Sequence, residues 1–349
     1  MQLRGGYPAV CGSRRGCGLA QPEEQRAEKN GAAALQTLWG GDLAGRLFFY
    51  YVRKSLLATI RSYKPYRDLV HQSRILLLGP VGAGKSSFCN LVKSVFQGYV
   101  THQALVGSNT TGMSVEYRTY SIKDGNDGNS LPFVLCDSLG LSEKGGLCKE
   151  DRVYILKGHT PDRYHFDSTK PITPKHGNYI HCPFLKDRIH CVAFMFDANS
   201  VEQLSHEMVA KIRRIRREVI KCGVVHVALL THVDSINLIA KDDFIDIYSY
   251  VPVKCKIQAV HRKLGFALSD ILVVSNYVSE WELDPVKDIL ILSALRQMLL
   301  ATDDFLEDLP LEQVMELPEM SASITRNSEL MIFILLKRYK LPCFLVEVP

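Results

Sequence analysis

A glycine-rich loop that ends in a lysine and a serine follows a short apolar run. The run covers residues 75–78, and the loop has the pattern Gly79-x-x-x-x-Gly84-Lys85-Ser86, which is typical of phosphate-binding P-loops. Glycines let the backbone approach an anion closely and tolerate positive φ. The N–H groups of the loop, and the N-terminus of the helix predicted over residues 86–96, would then point toward a β-phosphate.

The last two residues of this loop fit the phosphates and their metal ion. Lys85 can reach the β and γ oxygens of a nucleoside triphosphate, and the Ser86 hydroxyl can bind Mg²⁺. The alternative is a glycine-rich turn between a strand and a helix, with a chance Lys-Ser pair. The strand pattern before the loop and the helix pattern after it favour the nucleotide.

A second motif, Asp137-x-x-Gly140, begins at the end of a predicted buried strand. In P-loop proteins an acid at this place holds Mg²⁺, often through water, and the glycine N–H can bind the γ-phosphate. Thr110 or Thr111 is placed to close over the metal, and we assign the role to Thr111; an ordinary polar loop is the alternative. The next residue, Leu141, cannot orient water as the glutamine of many small G proteins does, which favours binding or slow hydrolysis.

The pattern Thr231-x-x-Asp234 follows another apolar run and fits a guanine-reading loop. A carboxylate at Asp234 could accept hydrogen bonds from N1–H and the exocyclic N2–H of guanine, whereas adenine offers neither donor there. Capping of a following helix is the alternative role. The usual lysine is replaced by His232, whose imidazole could stack on the base. Ser275 and Asn276 end the next predicted strand and fit the last base-contact loop.

Together these patterns predict a GTP or GDP site with Mg²⁺, without an assigned catalytic residue. The predicted phosphate-binding residues are Gly79, Gly82, Gly84, Lys85, Ser86, Ser87 and Gly140. The predicted guanine-binding residues are Thr231, His232, Asp234, Ser275 and Asn276. The predicted Mg²⁺ ligands are Ser86, Thr111 and Asp137.

Apolar strand-like runs alternate with helical patterns, which indicates an α/β fold with a mostly parallel, doubly wound sheet flanked by helices. Such sheets bind ligands at the carboxyl ends of their strands, where the motifs above lie. Residues 1–45 are expected to be disordered or an atypical extension. Residues 46–310 are expected to form a P-loop G domain, and residues 311–349 a weakly patterned tail.

Residues 142–186 are predicted to be a long polar insertion into this domain. Its histidines and cysteines are too loosely spaced for a tight pair of zinc ligands, so we favour a solvated loop over a metal site. They are His159, His165, His176, His181, Cys148 and Cys182. A helix is then expected over residues 201–222, capped by Asn199 or Ser200 and ended at Gly223.

Composition limits the classes of function. The 349-residue chain has a net charge of +5 and ten cysteines, and its Lys and Arg residues are spread out, which argues against a dedicated nucleic-acid surface. Cys136 and Cys191 lie in apolar runs and no C-x-x-C pair occurs, which favours reduced thiols in the cytosol. The sequence predicts neither a signal peptide nor a transmembrane segment.

With these motifs in place, residues 55–309 closely resemble the interferon-induced protein 44 family, including its 44-like paralogue. The matching runs include I-L-L-L-G-P-V-G-A-G-K-S-S-F, H-Q-A-L-V-G-S-N-T-T-G, L-C-D-S-L-G-L-S-E, V-V-H-V-A-L-L-T-H-V-D-S and S-E-W-E-L-D-P-V-K-D. The resemblance implies a guanine-nucleotide domain, a cytoplasmic location and a part in interferon-induced antiviral responses. Family members carry a TLDc-like domain ahead of the G domain, whereas a short unrelated stretch stands here. The tail after about Leu317 is also atypical, so a truncated or variant form is expected.

Three hypotheses remain for the function. The first is a GTP-dependent switch or assembly module with protein partners in immune signalling or with a second copy of the chain. The second is an enzyme that acts through GTP turnover, as large GTPases do. The third is an interaction protein whose nucleotide pocket is vestigial.

Overall fold

The computed structural model describes residues 41–101, 116–143, 147–167, 170–235, 247–248, 250–277 and 282–310. The chain divides into two compact units, Met1–Tyr51 and Val52–Pro349. The described residues of the first unit, 41–51, are helical, and the side chains of Phe48, Tyr50 and Tyr51 are exposed. The second unit contains the sheet and the candidate site.

Strands and helices alternate through the described part of the chain. The strands are β1 Ser73–Leu78, β2 Glu116–Lys123, β3 Ser130–Asp137, β4 Tyr164–His165, β5 Cys191–Asp197, β6 Val225–Thr231 and β7 Ile271–Val273. The α-helices are α1 Gly41–Arg61, α2 Lys85–Gln97, α3 Lys149–Leu156, α4 His206–Lys221, α5 Val251–Leu264 and α6 Pro285–Glu307. Within these ranges, none of the helices is long and apolar enough to cross a bilayer.

The strands form one seven-stranded sheet in the order β4-β2-β3-β1-β5-β6-β7. Neighbours from β3 to β7 are parallel, whereas β2 pairs antiparallel with both β3 and β4. The predicted α/β class with a mostly parallel sheet is confirmed.

Two hydrophobic cores lie on the two faces of the sheet. Successive side chains of a strand point to opposite faces, so Leu76 and Leu78 of β1 pack with α4 and α5, while Ile75 and Leu77 pack with α2 and α6. This double cover explains why β1 is apolar at every one of these positions rather than at alternate ones.

The predicted helix over residues 201–222 is wrong at its start. The chain forms a short 3₁₀ turn at Val201–Gln203, and Leu204 is extended (φ −55°, ψ 128°) before α4 begins. Ser205 is the N-cap, because its Oγ accepts a hydrogen bond from the Met208 N–H at 3.1 Å. The extended backbone at Leu204 therefore moves the cap past Asn199 and Ser200.

The insertion at residues 142–186 is not a simple solvated loop over its described residues. It contains α3, and three of its histidines, His159, His176 and His181, pack against aromatic rings. His159 stacks on Tyr179 with centroids 5.0 Å apart, and His181 meets the same tyrosine at 5.1 Å. Among the described residues no group of three or more His, Cys, Asp or Glu side chains is arranged to hold a metal ion.

His190, just before β5, is a buried polar residue that joins the sheet to this insertion. Its Nδ1 accepts a hydrogen bond from the Arg74 N–H at 3.0 Å, and its Nε2 donates to the Leu185 carbonyl at 2.9 Å. The side chain is fully buried. Burial lowers the pKa of His190 to about 4, so the folded protein holds a neutral imidazole at neutral pH.

The free energy of unfolding should therefore fall in mild acid. Between the ordinary histidine pKa of about 6.5 and the folded value, only the unfolded chain binds the proton, so acid favours unfolding. We expect wild type to lose about 2 kcal/mol more than a His190→Asn variant between about pH 7.5 and about pH 5, measured by urea unfolding. The variant shares every other titrating group, so equal losses would contradict a depressed pKa at His190.

Candidate nucleotide-binding site

The predicted site residues that the structure describes lie together at one edge of the sheet. Strands β1, β3, β5, β6 and β7 run parallel, so their carboxyl ends meet at the same edge. The P-loop follows β1, the Asp137 motif follows β3, and the two base-contact loops follow β6 and β7. This edge is where doubly wound sheets bind ligands.

The P-loop contacts both base-contact loops through Gly84. Gly82 and Gly84 each have φ of +81°, a left-handed conformation that suits glycine. A Cβ atom on Gly84 would lie 3.2 Å from His232 Cε1 and 3.4 Å from Asn276 Nδ2. A residue with a side chain would therefore separate the phosphate loop from the other two loops.

The predicted metal ligands are partly brought together. Ser86 Oγ donates a hydrogen bond to Asp137 Oδ2 at 2.6 Å. The second carboxylate oxygen, Oδ1, is buried and has no hydrogen-bond partner. A buried carboxylate oxygen without a donor is a ready position for a cation or its water, so these two residues fit Mg²⁺. The third predicted ligand, Thr111, lies outside the described residues.

Lys85 is held inside the loop beside this carboxylate. Its Nζ donates to the Pro80 carbonyl at 3.1 Å and to the Gly79 carbonyl at 3.3 Å. Burial lowers the pKa of Lys85 and raises the pKa of Asp137, and each charge partly offsets the shift of the other. An anion beside Lys85 and a cation beside Asp137 would reverse both shifts, so the site is electrostatically suited to a phosphate with a metal ion.

The Asp137-x-x-Gly140 segment pairs with the P-loop backbone. Leu141 N–H donates to the Gly79 carbonyl at 2.9 Å, and Val81 N–H donates to the Leu141 carbonyl at 3.1 Å. A Cβ atom on Gly140 would lie 2.8 Å from Val81 Cγ2 and 3.2 Å from Val81 Cα, so a residue with a side chain would force Val81 to shift. The Leu141 side chain is buried in the core and supplies no polar group to the site.

Thr231 ties the end of β6 to its neighbours. Its hydroxyl oxygen lies 3.0 Å from the Ala83 carbonyl, 3.1 Å from the Phe196 carbonyl and 3.0 Å from His232 Nδ1. His232 itself has φ of +55°, which is uncommon for a residue with a side chain. Thr231 therefore acts as a positioning residue in this structure, and His232 turns its ring toward Gly84.

Asp234 fixes the two base-contact loops to each other. Its Oδ1 accepts hydrogen bonds from the Asn276 N–H at 3.1 Å and from Ser275 Oγ at 3.3 Å. The Asn276 side-chain oxygen is buried without a hydrogen-bond partner. The loop predicted to contact the base therefore contains a buried oxygen that can still accept a hydrogen bond.

Ser87 lies in the first turn of α2, and its side chain is partly buried. Its predicted contact with a phosphate stays a prediction.

A lysine that the sequence motifs did not indicate supports the predicted base-contact loop. Lys287, in the first turn of α6, is buried and donates a hydrogen bond from Nζ to the Asn276 carbonyl at 3.0 Å. The next residue, Asp288, accepts from Arg53 Nε of α1 at 2.5 Å and from the Tyr277 hydroxyl at 2.8 Å. In the sequence, the Lys287-Asp288 pair at the start of a strongly apolar helix could have pointed to these contacts.

Asp197, at the end of β5, was also missed. Its Oδ1 lies 3.7 Å from His232 Nδ1. The same residue lines a cavity of about 220 Å³ next to the P-loop, together with Val81, Ala83 and Leu204. In the sequence, Asp197 could have been recognised as an acid at the carboxyl end of an apolar strand.

Comparison with known proteins places this chain in a family. Interferon-induced protein 44 of Homo sapiens is 67% identical over 269 residues, which are 77% of this chain and 61% of that protein. The Mus musculus protein is 64% identical over 262 residues, 75% of this chain and 62% of that protein. Over this matched region the chain belongs to the interferon-induced protein 44 family. Interferon-induced protein 44-like of Homo sapiens is 56% identical over 263 residues, 75% of this chain and 58% of that protein.

The predicted family membership is confirmed, and this chain spans about three-fifths of the length of the curated family members it matches. No protein-family model matches it. Among solved structures, Toc33 from Arabidopsis thaliana in complex with GDP and Mg²⁺ has a TM-score of 0.38 and 11% identity, covering 76% of this chain and 97% of that one. The signal recognition particle receptor complex from Chaetomium thermophilum has a TM-score of 0.31 and 13% identity, covering 59% and 90%. Likeness this low says nothing about the chemistry of the interferon-induced 44 site.

The contact at Gly84 can be tested against Gly82, since both have the same φ. Alanine at either position should cost roughly 1–2 kcal/mol for the left-handed backbone. Gly84→Ala should cost more, because its Cβ would press on His232, whereas a Cβ at Gly82 meets nothing within 4 Å. Urea unfolding of the two variants measures the difference. Equal losses would mean that the P-loop and the His232 loop are not in contact.

Proposed function

We propose that this interferon-induced 44 family chain binds GTP or GDP with Mg²⁺, and that the bound nucleotide controls assembly or a protein contact in the cytoplasm during the innate antiviral response. The observation that supports the proposal is the contact of Gly84 with both His232 and Asn276. This contact supports the proposal because one nucleotide could then reach from the loop of Gly84 to the loops of His232 and Asn276.

At the phosphate end, the chain supplies charge and metal ligands. Lys85 would neutralise the β and γ oxygens, and the loop N–H groups around Gly82 would bind the remaining oxygens. Ser86 and Asp137 would hold Mg²⁺, which supplies further neutralisation of phosphate charge when bound. The Ser86–Asp137 hydrogen bond would give way to shared coordination of the metal.

At the base end, the Asp234 carboxylate would accept hydrogen bonds from guanine while its Oδ1 stays tied to the Ser275–Asn276 backbone. His232 would lie along the base in place of the usual lysine, and the partnerless Asn276 oxygen would accept one further N–H. Lys287 would act as a positioning residue, because it holds the Asn276 carbonyl.

The position of Leu141 favours a switch over a fast enzyme. Its backbone is paired to Gly79 and Val81, and its side chain is buried in the core. An apolar side chain there can neither orient nor polarise an attacking water. We therefore place nucleotide binding ahead of turnover in this proposal.

Replacing Lys85 by methionine tests the phosphate contact. Methionine keeps an unbranched side chain in the buried position and removes only the ammonium group, so the fold should persist. We expect GTP affinity in the presence of Mg²⁺ to fall roughly tenfold to a hundredfold, the usual value of a charge-assisted hydrogen bond. Titration calorimetry on wild type and variant gives the ratio. Unchanged affinity in a folded variant would instead favour an interaction protein with a vestigial pocket.

The Asp234→Asn variant tests base recognition. Its amide NH₂ would face the N2 amino group of guanine, whereas xanthine has a carbonyl at that ring position and can accept from it. GTP should lose roughly 1.5–3 kcal/mol, and XTP should bind the variant better than GTP. Competition of the two nucleotides on each protein gives the preference.

Ser275→Ala is the matched control, because it removes a hydrogen bond to Asp234 Oδ1 without altering the carboxylate. It should weaken both nucleotides alike and leave the preference for GTP. If Asp234→Asn behaved in the same way, the carboxylate would only support the loop and would not read the base.

A further inference from the structure

A cavity of about 720 Å³ lies far from the P-loop, at the opposite edge of the sheet. It is lined by Ile189 and Val224, which precede β5 and β6, and by Leu156 at the end of α3. These residues mark the amino ends of the parallel strands, whereas the nucleotide loops follow the carboxyl ends. Its volume lies within the range of ordinary ligand pockets, yet nothing in the proposed nucleotide chemistry uses it.

The cavity combines a buried apolar floor with a basic rim. Leu156 and Val224 are almost fully buried, and the basic residues Lys157, Arg188 and Lys221 are also among the lining residues. Lys157 and Lys221 are exposed. Within the described residues, neither of these two lysines forms an ion pair with an acidic side chain. An occupant that fits must offer apolar groups and negative charge together.

The last helix of the domain ends at this cavity. Phe305 in the last turn of α6 and Leu309, two residues beyond the end of the helix, both line it. Residue 311 is therefore at most about 7 Å of extended chain from a lining residue. Any segment that follows Pro310 starts at the mouth of the cavity and is tethered there at a high effective concentration.

The segment that starts there has the complementary chemistry. Residues 311–320, L-E-Q-V-M-E-L-P-E-M, contain no Lys or Arg. Their acidic residues are Glu312, Glu316 and Glu319, and their large apolar residues are Leu311, Val314, Met315, Leu317 and Met320. Three negative charges among apolar side chains match a cavity with three cations around an apolar floor.

We propose that residues 311–320 of this chain dock in the cavity between α3, α4 and α6. The apolar side chains cover the floor around Leu156 and Val224, and the glutamates pair with Lys157, Arg188 and Lys221. Exposed ion pairs are individually weak, so the apolar contact supplies most of the affinity and the charges select the acidic segment. Docking joins the tail to the face of the domain that is opposite the nucleotide loops.

Cys222 provides a reporter inside the intact protein. It lines the cavity and is partly buried, whereas Cys255 on α5 is exposed and does not line it. A docked segment shields Cys222 from a maleimide reagent. Alkylation rates of both cysteines, read by peptide mass spectrometry on the full chain, then separate a local change from general unfolding.

The test compares three full-length variants with wild type. Glu312→Lys/Glu316→Lys should raise the alkylation rate of Cys222 about threefold or more, because two ion pairs become repulsive, and should leave Cys255 unchanged. Glu329→Lys/Glu347→Lys makes the same charge change outside the segment and should change neither rate. Adding Lys157→Glu/Lys221→Glu to the first variant should restore the shielding of Cys222, because the charges of the segment and of the cavity are then both inverted.

Zero-length carbodiimide coupling gives an independent result. Wild type should yield intramolecular links between Lys157 or Lys221 and Glu312 or Glu316. The proposal is overturned if no such link forms and the Glu312→Lys/Glu316→Lys variant alkylates at the wild-type rate. It is equally overturned if added decanoate shields Cys222 in wild type and in this variant alike, since the cavity would then be an open site for a small amphiphilic anion.

Discussion

The buried hydroxyl of Thr231 holds together the loops on which the candidate site depends. It reaches the Ala83 carbonyl of the P-loop and the Phe196 carbonyl of β5, at 3.0 and 3.1 Å. A hydroxyl has one proton and two lone pairs, so Thr231 donates to one of these carbonyls at a time or shares the proton between them, and its oxygen can accept from the His232 ring. Without it, the carbonyl that receives this proton would lose a donor, at a cost of about 1–3 kcal/mol where no other group replaces it. The geometry at Gly84 follows from this anchor, because it sets how closely β6 approaches the P-loop.

Much of the fold could be predicted from the sequence because a strand that is buried on both faces has a simple sequence pattern. A strand covered on two sides is apolar at successive positions, as residues 75–78 of β1 and 227–230 of β6 are, and a polar residue then marks the point where the strand leaves the core. Asp137 and Thr231 stand at such points. The glycines of the P-loop carry a conformational requirement that few other residues meet. For these reasons the sheet and the placing of the motifs at one edge could be predicted, and the α/β class is confirmed.

Features that depend on contacts distant in sequence could not be predicted in the same way. Asn199, Ser200 and Ser205 are all good N-caps, and only the extended backbone at Leu204 decides among them. The rings around His159 and Tyr179 are brought together by the course of the insertion and follow no period. Lys287 supports a loop that precedes it by eleven residues, and the spacing of polar residues along its own helix does not reveal that contact. The reading of Thr111 as a metal ligand lies outside the described residues and stays a prediction.

Two adjacent residues of α6 face different parts of the molecule. Lys287 holds the Asn276 carbonyl in the base-contact loop, while Asp288 binds Arg53 of α1 and the Tyr277 hydroxyl. A shift of this one helical turn therefore moves the base loop and the Arg53 anchor together. If the loop binds guanine as proposed, thermodynamic linkage makes the coupling reciprocal. A protein that binds α1 and displaces Arg53 would change the affinity of the chain for nucleotide by some factor. Bound nucleotide would change the affinity of the chain for that protein by the same factor. The first turn of α6 would then serve as a transmission element, carrying the state of the pocket to a helix that lies ahead of the P-loop in the chain.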